Sequence, residues 1–195
     1  MPRFSILPVV LLIVIGNPGH AEDLRSPSSF LDIADAPSRS AALFEEAARV
    51  FQHPRCANCH PVGERPYQGN DPYPHVPKVV RGPDGFGAPG AQKCWACHTS
   101  ANYEPSGVPG DPAWHLAPEE MAWHGKSAGE ICAQLSDPQM TGGRDLAAVI
   151  EHVADDELVH WGWAPGADRE PAPGSANQLV ELLEAWVDTG AHCPQ

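Results

Sequence analysis

Cations are scarce in this chain: 12 Lys and Arg stand against 25 Asp and Glu in 195 residues, a formal net charge of −13. A field of that sign repels nucleic acid and anionic membrane surfaces; it suits a partner with a basic docking patch, or serves solubility alone. Long apolar runs are missing too, apart from one at the start. Residues 1–21 carry Arg3, an apolar stretch from Ile6 to Ile15, and the small residues Gly19 and Ala21 before Glu22. This reads as a secretory signal peptide cleaved after Ala21. The stretch falls short of the ~20 residues that a membrane anchor needs, and Pro8 interrupts it. The expectation is a periplasmic location with no membrane span in the mature chain. Also lacking is any βαβ pattern. Glycines at 82, 85, 87 and 90 have no strand before them and no Gly-Lys-Ser/Thr after them, so they read as turns and not as a nucleotide loop.

What the chain does have is six cysteines, four of them in two identical frames. Residues 56–60 read Cys-Ala-Asn-Cys-His and residues 94–98 read Cys-Trp-Ala-Cys-His. Each frame is a complete attachment motif for a c-type haem: two thiols bond the porphyrin vinyl groups and the following histidine meets the iron. The sequence therefore predicts two covalently attached haem c groups, one on Cys56 and Cys59 with His60, the other on Cys94 and Cys97 with His98. A zinc ribbon is the alternative for paired Cys-x-x-Cys, but residues 60–93 are longer than its usual spacer of about 15–20 residues. Zinc also gives no reason for a histidine after each pair. A thioredoxin-like redox pair lacks its βαβ surroundings. The remaining thiols, Cys132 and Cys193, are expected to pair in an oxidising compartment, with two free buried thiols as the other reading.

The pattern along the chain predicts a mainly α fold, a single compact dihaem domain at 40–195 with long Pro/Gly-rich loops and a C-terminal helical part. Residues 22–39 read as a flexible leader. Ser40 to Gln52 reads as a helix with Leu43, Phe44, Ala47, Val50 and Phe51 in one stripe, stopped by Pro54. Proline and glycine recur from Pro61 to Pro118, which predicts loops with little periodic core, where two haems would supply the apolar centre. Helices are expected again after Ser127 with Glu130, over Asp145 to Asp155, and after Ser175 with Gln178, with Gly190 as a C-cap. No sizeable sheet is expected. Trp161 and Trp163 read as core packing, with a haem or docking surface as the other use. Two motifs within residues 56–98 must share one domain.

Each motif is followed by another histidine at a similar remove, His75 after His60 and His115 after His98, and each lies in a loop with a proline beyond it. The repeat suggests that each haem is capped on its open side by the histidine of its own trailing loop, which would favour electron transfer over ligand chemistry. His53 and Met121 are the rivals, although Met121 beside Ala122 and Trp123 also suits packing. His124, His152, His160 and His192 read as surface or helix-end residues.

The runs at 53–61, 81–85 (Arg-Gly-Pro-Asp-Gly), 114–123 (Trp-His-Leu-Ala-Pro-Glu-Glu-Met-Ala-Trp), 142–146 and 161–166 (Trp-Gly-Trp-Ala-Pro-Gly) resemble the bacterial isoquinoline 1-oxidoreductase subunit family. The resemblance spans residues 41–194. It implies a cytochrome beside a molybdenum hydroxylase whose molybdopterin and iron–sulfur centres sit on other subunits. Only two cysteines remain after haem attachment, too few for an iron–sulfur cluster. The function expected is therefore a periplasmic dihaem electron carrier between a dehydrogenase-type redox partner and the respiratory chain. The alternatives are a small haem enzyme, peroxidase or reductase, with one open iron, and a structural role in which haem only stabilises a loop-rich fold.

Overall fold

The computed structural model describes residues 22–88, 90 and 92–195, so the expected signal peptide lies outside the described residues. They form six α-helices and a two-stranded antiparallel hairpin. No helix among them is long and apolar enough to cross a membrane. Helix α1 runs Ala36–Phe51, four residues earlier at its start than the periodicity predicts. Asp35 caps it by accepting from Ser38 N at 2.9 Å, and Pro37 sits in the first turn, where its missing N–H costs nothing. Its buried stripe, Leu43, Phe44, Ala47, Val50 and Phe51, is the predicted one.

Two helices close over that stripe, and a third packs against one of them. In α3 (Ala128–Leu135) Ser127 and Glu130 exchange side chain and backbone bonds as a full capping box. Helix α4 spans Leu146–Asp155 behind an Asp145 cap. Helix α6 spans Ala176–Asp188 behind Ser175, which accepts from Gln178 N, and Gly190 follows its end at φ +105°. Helix α6 packs against both α1 and α4, and α1 also meets α3. Phe44 and Trp186 lie with ring centroids 4.8 Å apart at the centre, and Leu179, Leu182 and Leu183 fill the space around them. Burial of each such side chain stabilises the fold by about 1.5–3 kcal/mol.

The segment expected as a flexible leader is docked on this core. Leu24 and Phe30 are 4% and 2% exposed, and Arg25 Nε donates to Glu46 Oε2 at 2.7 Å. A second ion pair runs from Arg49 Nη2 to Glu22 Oε2 at 2.7 Å, so two buried apolar residues and two ion pairs fix the segment, a signal too sparse to be periodic. The predicted disulfide is present: Cys132 and Cys193 are bonded, which ties the C-terminus to α3. Gly129 makes the approach possible, because a methyl there would meet the carbonyl oxygen of Pro194.

Two short helices carry weak sequence signals. Helix α2, Pro54–Ala57, is capped by His53, whose Nδ1 accepts from Arg55 N at 3.2 Å. Helix α5, Glu157–Trp161, is capped by Asp156. The hairpin pairs β1 (Tyr67–Gln68) with β2 (Tyr73–Pro74). The described residues between 61 and 118 are otherwise turns, bends, short 3-10 pieces and one isolated bridge between Tyr103 and Val108, as their proline and glycine content predicts.

Candidate haem sites

Both cysteine frames close the same backbone bonds, the first at the end of α2 and the second around a short 3-10 turn at Cys94–Ala96. In the first, the N–H groups of Cys59 and His60 donate to Cys56 O at 3.0 and 3.1 Å; in the second, those of Cys97 and His98 donate to Cys94 O at 3.1 and 2.9 Å. A helical turn brings positions i, i+3 and i+4 to one side, so the two thiols and the imidazole of each frame share a face. None of the four thiols is in a disulfide. Among the described residues, no three His, Cys, Asp or Glu side chains converge into a metal-holding group.

Each frame opens on its own cavity. The first is about 770 Å³ and is lined by Cys56, Cys59 and His60 against the helical core, with Phe51 of α1, Leu135 of α3 and Val149 of α4. The second is about 500 Å³ and is walled by Cys94, Cys97 and His98 together with the hairpin. Arg55, Cys59, His115, Leu116 and Trp161 line both, so a single layer of side chains separates the two cavities. The second frame is the more exposed one: Cys97 is exposed where Cys56 and Cys59 are half-buried, and Trp95 is 58% exposed.

The ring of each motif histidine is fixed from behind. His60 Nδ1 lies 2.7 Å from Met121 O, and its ring stacks on Trp123 with centroids 3.4 Å apart and planes 3° from parallel. His98 Nδ1 lies 2.8 Å from Pro109 O, and its ring stacks on Trp114 at 4.6 Å and 8°. A carbonyl beside Nδ1 selects the tautomer that donates there, leaving Nε2 as the free lone pair, the arrangement that metal-ligating histidines adopt. Burial pushes His60 down to about 3 against the opposing hydrogen bond to Met121, and it lowers His98 as well against that to Pro109. Burial likewise pushes Cys56 up to about 12 and Cys59 up to about 11.

The loops reach these positions through specific backbone bonds. Trp123 N and His124 N both donate to His60 O, and Ala117 N donates to Cys59 O, so residues 117–124 clamp the first frame. Leu116 N donates to Gly85 O, and Cys94 N donates to Phe86 O, so the turn at 82–87 ties the second frame to the loop that clamps the first. Gly82 and Gly85 sit at φ +68° and +77°, and a Cβ at either would strike backbone, of Gly87 or of Leu116. On the second frame, Asn102 Oδ1 accepts from Gly110 N and Trp161 Nε1, and Asn102 Nδ2 donates to Pro165 O, which docks the 101–110 loop on the Trp-Gly-Trp segment.

No family model, curated protein or solved structure matches the chain. Two thiols free of any disulfide and one histidine with its Nε2 unengaged line each cavity, and the volumes suit a flat apolar group. Haem also brings two propionate carboxylates, and buried cations are waiting. Arg81 is 5% exposed; its Nη2 donates to Pro61 O and Gly63 O, while Nε and Nη1 have no partner. Arg55, 8% exposed, has an unpartnered Nε. Both line the larger cavity. Unpaired guanidinium N–H groups at that depth are costly without an anionic partner, so the residues fit the group.

The remaining histidines are placed differently from the spacing repeat. His75 lines the second cavity, not the first, with its ring centroid 6.0 Å from that of His98. His115 lines both cavities and directs Nδ1 at the Ala113 carbonyl. His53 is used as a helix cap and lines neither, and Met121 offers its carbonyl to His60 from the side of that imidazole. His152, read from sequence as a surface residue, lines the His60 cavity with its Nδ1 3.4 Å from Asp156 Oδ2. It shares the apolar face of α4 with Val149 and Val153, and that face was the available signal. Arg81 carried none, since nothing in an Arg-Gly-Pro turn announces burial. Trp161 lines both cavities instead of filling the helical core. Trp163 packs against the core and donates to Pro173 O.

Proposed function

We propose that this chain is an exported dihaem cytochrome c that relays single electrons between protein partners. The observation that carries the reading is the shared wall: two cavities, each with a free Cys pair and a back-anchored histidine, are separated by one layer that includes Cys59, His115 and Trp161. When bound, haem supplies a one-electron iron couple. The chain's own part is to tether through Cys56, Cys59, Cys94 and Cys97 and to ligate through the Nε2 atoms of His60 and His98. Trp123 and Trp114 keep those rings from rotating, and Arg81 and Arg55 neutralise carboxylates in the cavity walls. Core helices form one wall of the first site through Phe51, Leu135 and Val149, while the second frame carries the exposed Cys97 and Trp95, which favours exchange with a partner there.

The acidic composition supports a partner with a basic docking face. The resemblance stated above names its class: a dehydrogenase-type donor, with molybdopterin and iron–sulfur subunits as the specific case and the respiratory chain as acceptor. Protein matured in a host with c-type haem attachment should gain two haems by mass, and Cys59→Ser or Cys97→Ser should lose one each. Low-spin spectra in both oxidation states, unchanged by cyanide or carbon monoxide, are expected of the carrier. A high-spin fraction that binds these ligands would favour the small haem enzyme, and a mass without haem would remove the proposal.

A further inference from the structure

We propose that axial ligation crosses between the motifs: His75, on the loop trailing the first Cys-x-x-Cys-His, is the distal ligand of the iron held through the second. The inference rests on the dihaem reading and specifies which side chain completes one of its sites. Sequence spacing pairs His75 with His60, and the fold does not. His75 is absent from the wall of the His60 cavity and present in that of His98.

Three observations converge on the pairing. First, the distance is right for an iron between the two rings. Bonds of about 2.0 Å from a first-row metal to imidazole, each extended by about 1.1 Å from nitrogen to ring centre, set two axial imidazole centroids about 6 Å apart. The His75 and His98 centroids are 6.0 Å apart, with planes at 57°. Second, His75 is anchored from behind as the motif histidines are: its Nδ1 lies 2.9 Å from Pro77 O, which leaves Nε2 free. Third, its backbone is held in place. His75 N donates to Pro66 O at 2.9 Å, Arg65 Nε and Nη2 donate to His75 O at 3.1 and 2.6 Å, and Val76 N donates to Gln68 Oε1 at 3.0 Å. These bonds grip both flanks of the residue directly behind the β1–β2 hairpin. Reaching the His60 cavity would break them.

The crossing makes each motif depend on the other's loop. Residues 61–74 leave the first tether and deliver a ligand to the second site, so the two attachments are mechanically one unit.

The test is His75→Ala in the matured, haem-loaded protein. Mass spectrometry should still count two haems. Electron paramagnetic resonance and optical spectra should show half of the haem converted from low to high spin, and added imidazole should restore it, which a merely unfolded loop would not permit. The identity of the changed haem is read by proton NMR of the reduced protein, because the first proximal ring stacks on Trp123 and the second on Trp114. Loss of low-spin signals from the haem with contacts to Trp114 is the expected result. The proposal is overturned if both haems stay low-spin, or if the altered haem is the one beside Trp123. A matured protein without haem by mass would instead defeat the cytochrome reading, and this inference with it.

Discussion

Removing the Cys132–Cys193 bond should cost this protein about 4 kcal/mol. The bonded cysteines are 61 residues apart in sequence, and the chain-entropy relation for a loop of that length gives about 4 kcal/mol at 25 °C. Cys132 is fully buried and Cys193 packs against the same core, so replacing both by alanine removes two sulfurs without leaving a buried polar atom. For a chain of this size each kcal/mol moves the unfolding temperature by about 2–4 °C, so the double variant should melt about 8–16 °C lower. The assay is urea and thermal unfolding by far-ultraviolet circular dichroism, on the variant and on wild type with and without a thiol reductant. Haem tethered as proposed stays with the unfolded chain and does not blur the comparison. Reduced wild type and the double variant should agree. A loss below about 1 kcal/mol in both would refute the reasoning, and would mean that residues 189–195 hold against α3 by packing alone. The effect reaches the site, because Leu135 of α3 lines the His60 cavity and Gln134 Nε2 donates to Glu120 O beside it.

Arg81→Gln should lower the midpoint potential of the first haem, since losing a buried cation favours the oxidised, more positive iron; a unit charge about 10 Å away at an effective dielectric near 20 is worth about 1–2 kcal/mol, or about 40–90 mV for a one-electron couple. A redox titration in which that potential stays put or rises would count against Arg81 as a propionate partner. Burial acts to raise the Glu46 carboxyl, but hydrogen bonds from Arg25 and Arg49 outweigh it and hold the pKa below the usual 4.5. Its stabilisation is therefore complete above the unfolded value and is lost as pH falls through the lower folded one, so the urea midpoint of wild type should drop across that acidic window and that of Glu46→Gln should drop less; identical pH profiles would show the pair to be neutral. Reduction by the natural donor should slow as the Debye length shrinks from about 10 Å at 0.1 M salt to about 3 Å at 1 M. A flat stopped-flow profile would assign the acidity to solubility.

Much of the secondary structure was legible because its signals are local. The stripe from Leu43 to Phe51, the Ser127 and Glu130 capping box, Asp145, Ser175 and Gly190 each act within a turn or two of helix, and each is found where its chemistry requires. The pairing of Cys132 with Cys193 followed from elimination. The same holds for the two Cys-x-x-Cys-His frames: three residues spaced i, i+3 and i+4 are brought to one face by a single helical turn, whatever surrounds them.

What tertiary structure alone decided is which distant groups face each other. Leu24 and Phe30 dock on the core because α1 offers them a surface, which no pattern within residues 22–35 could reveal. Arg81 is buried because the 82–87 turn folds it under the first frame, and His152 reaches the His60 cavity because α6 sets the rotation of α4. His75 is the clearest case. Equal spacing in sequence suggested equal roles, but the hairpin at 67–74 turns the chain back and presents that imidazole to His98. Sequence distance bounds how far a loop can reach; only the backbone bonds made along the way determine where it points.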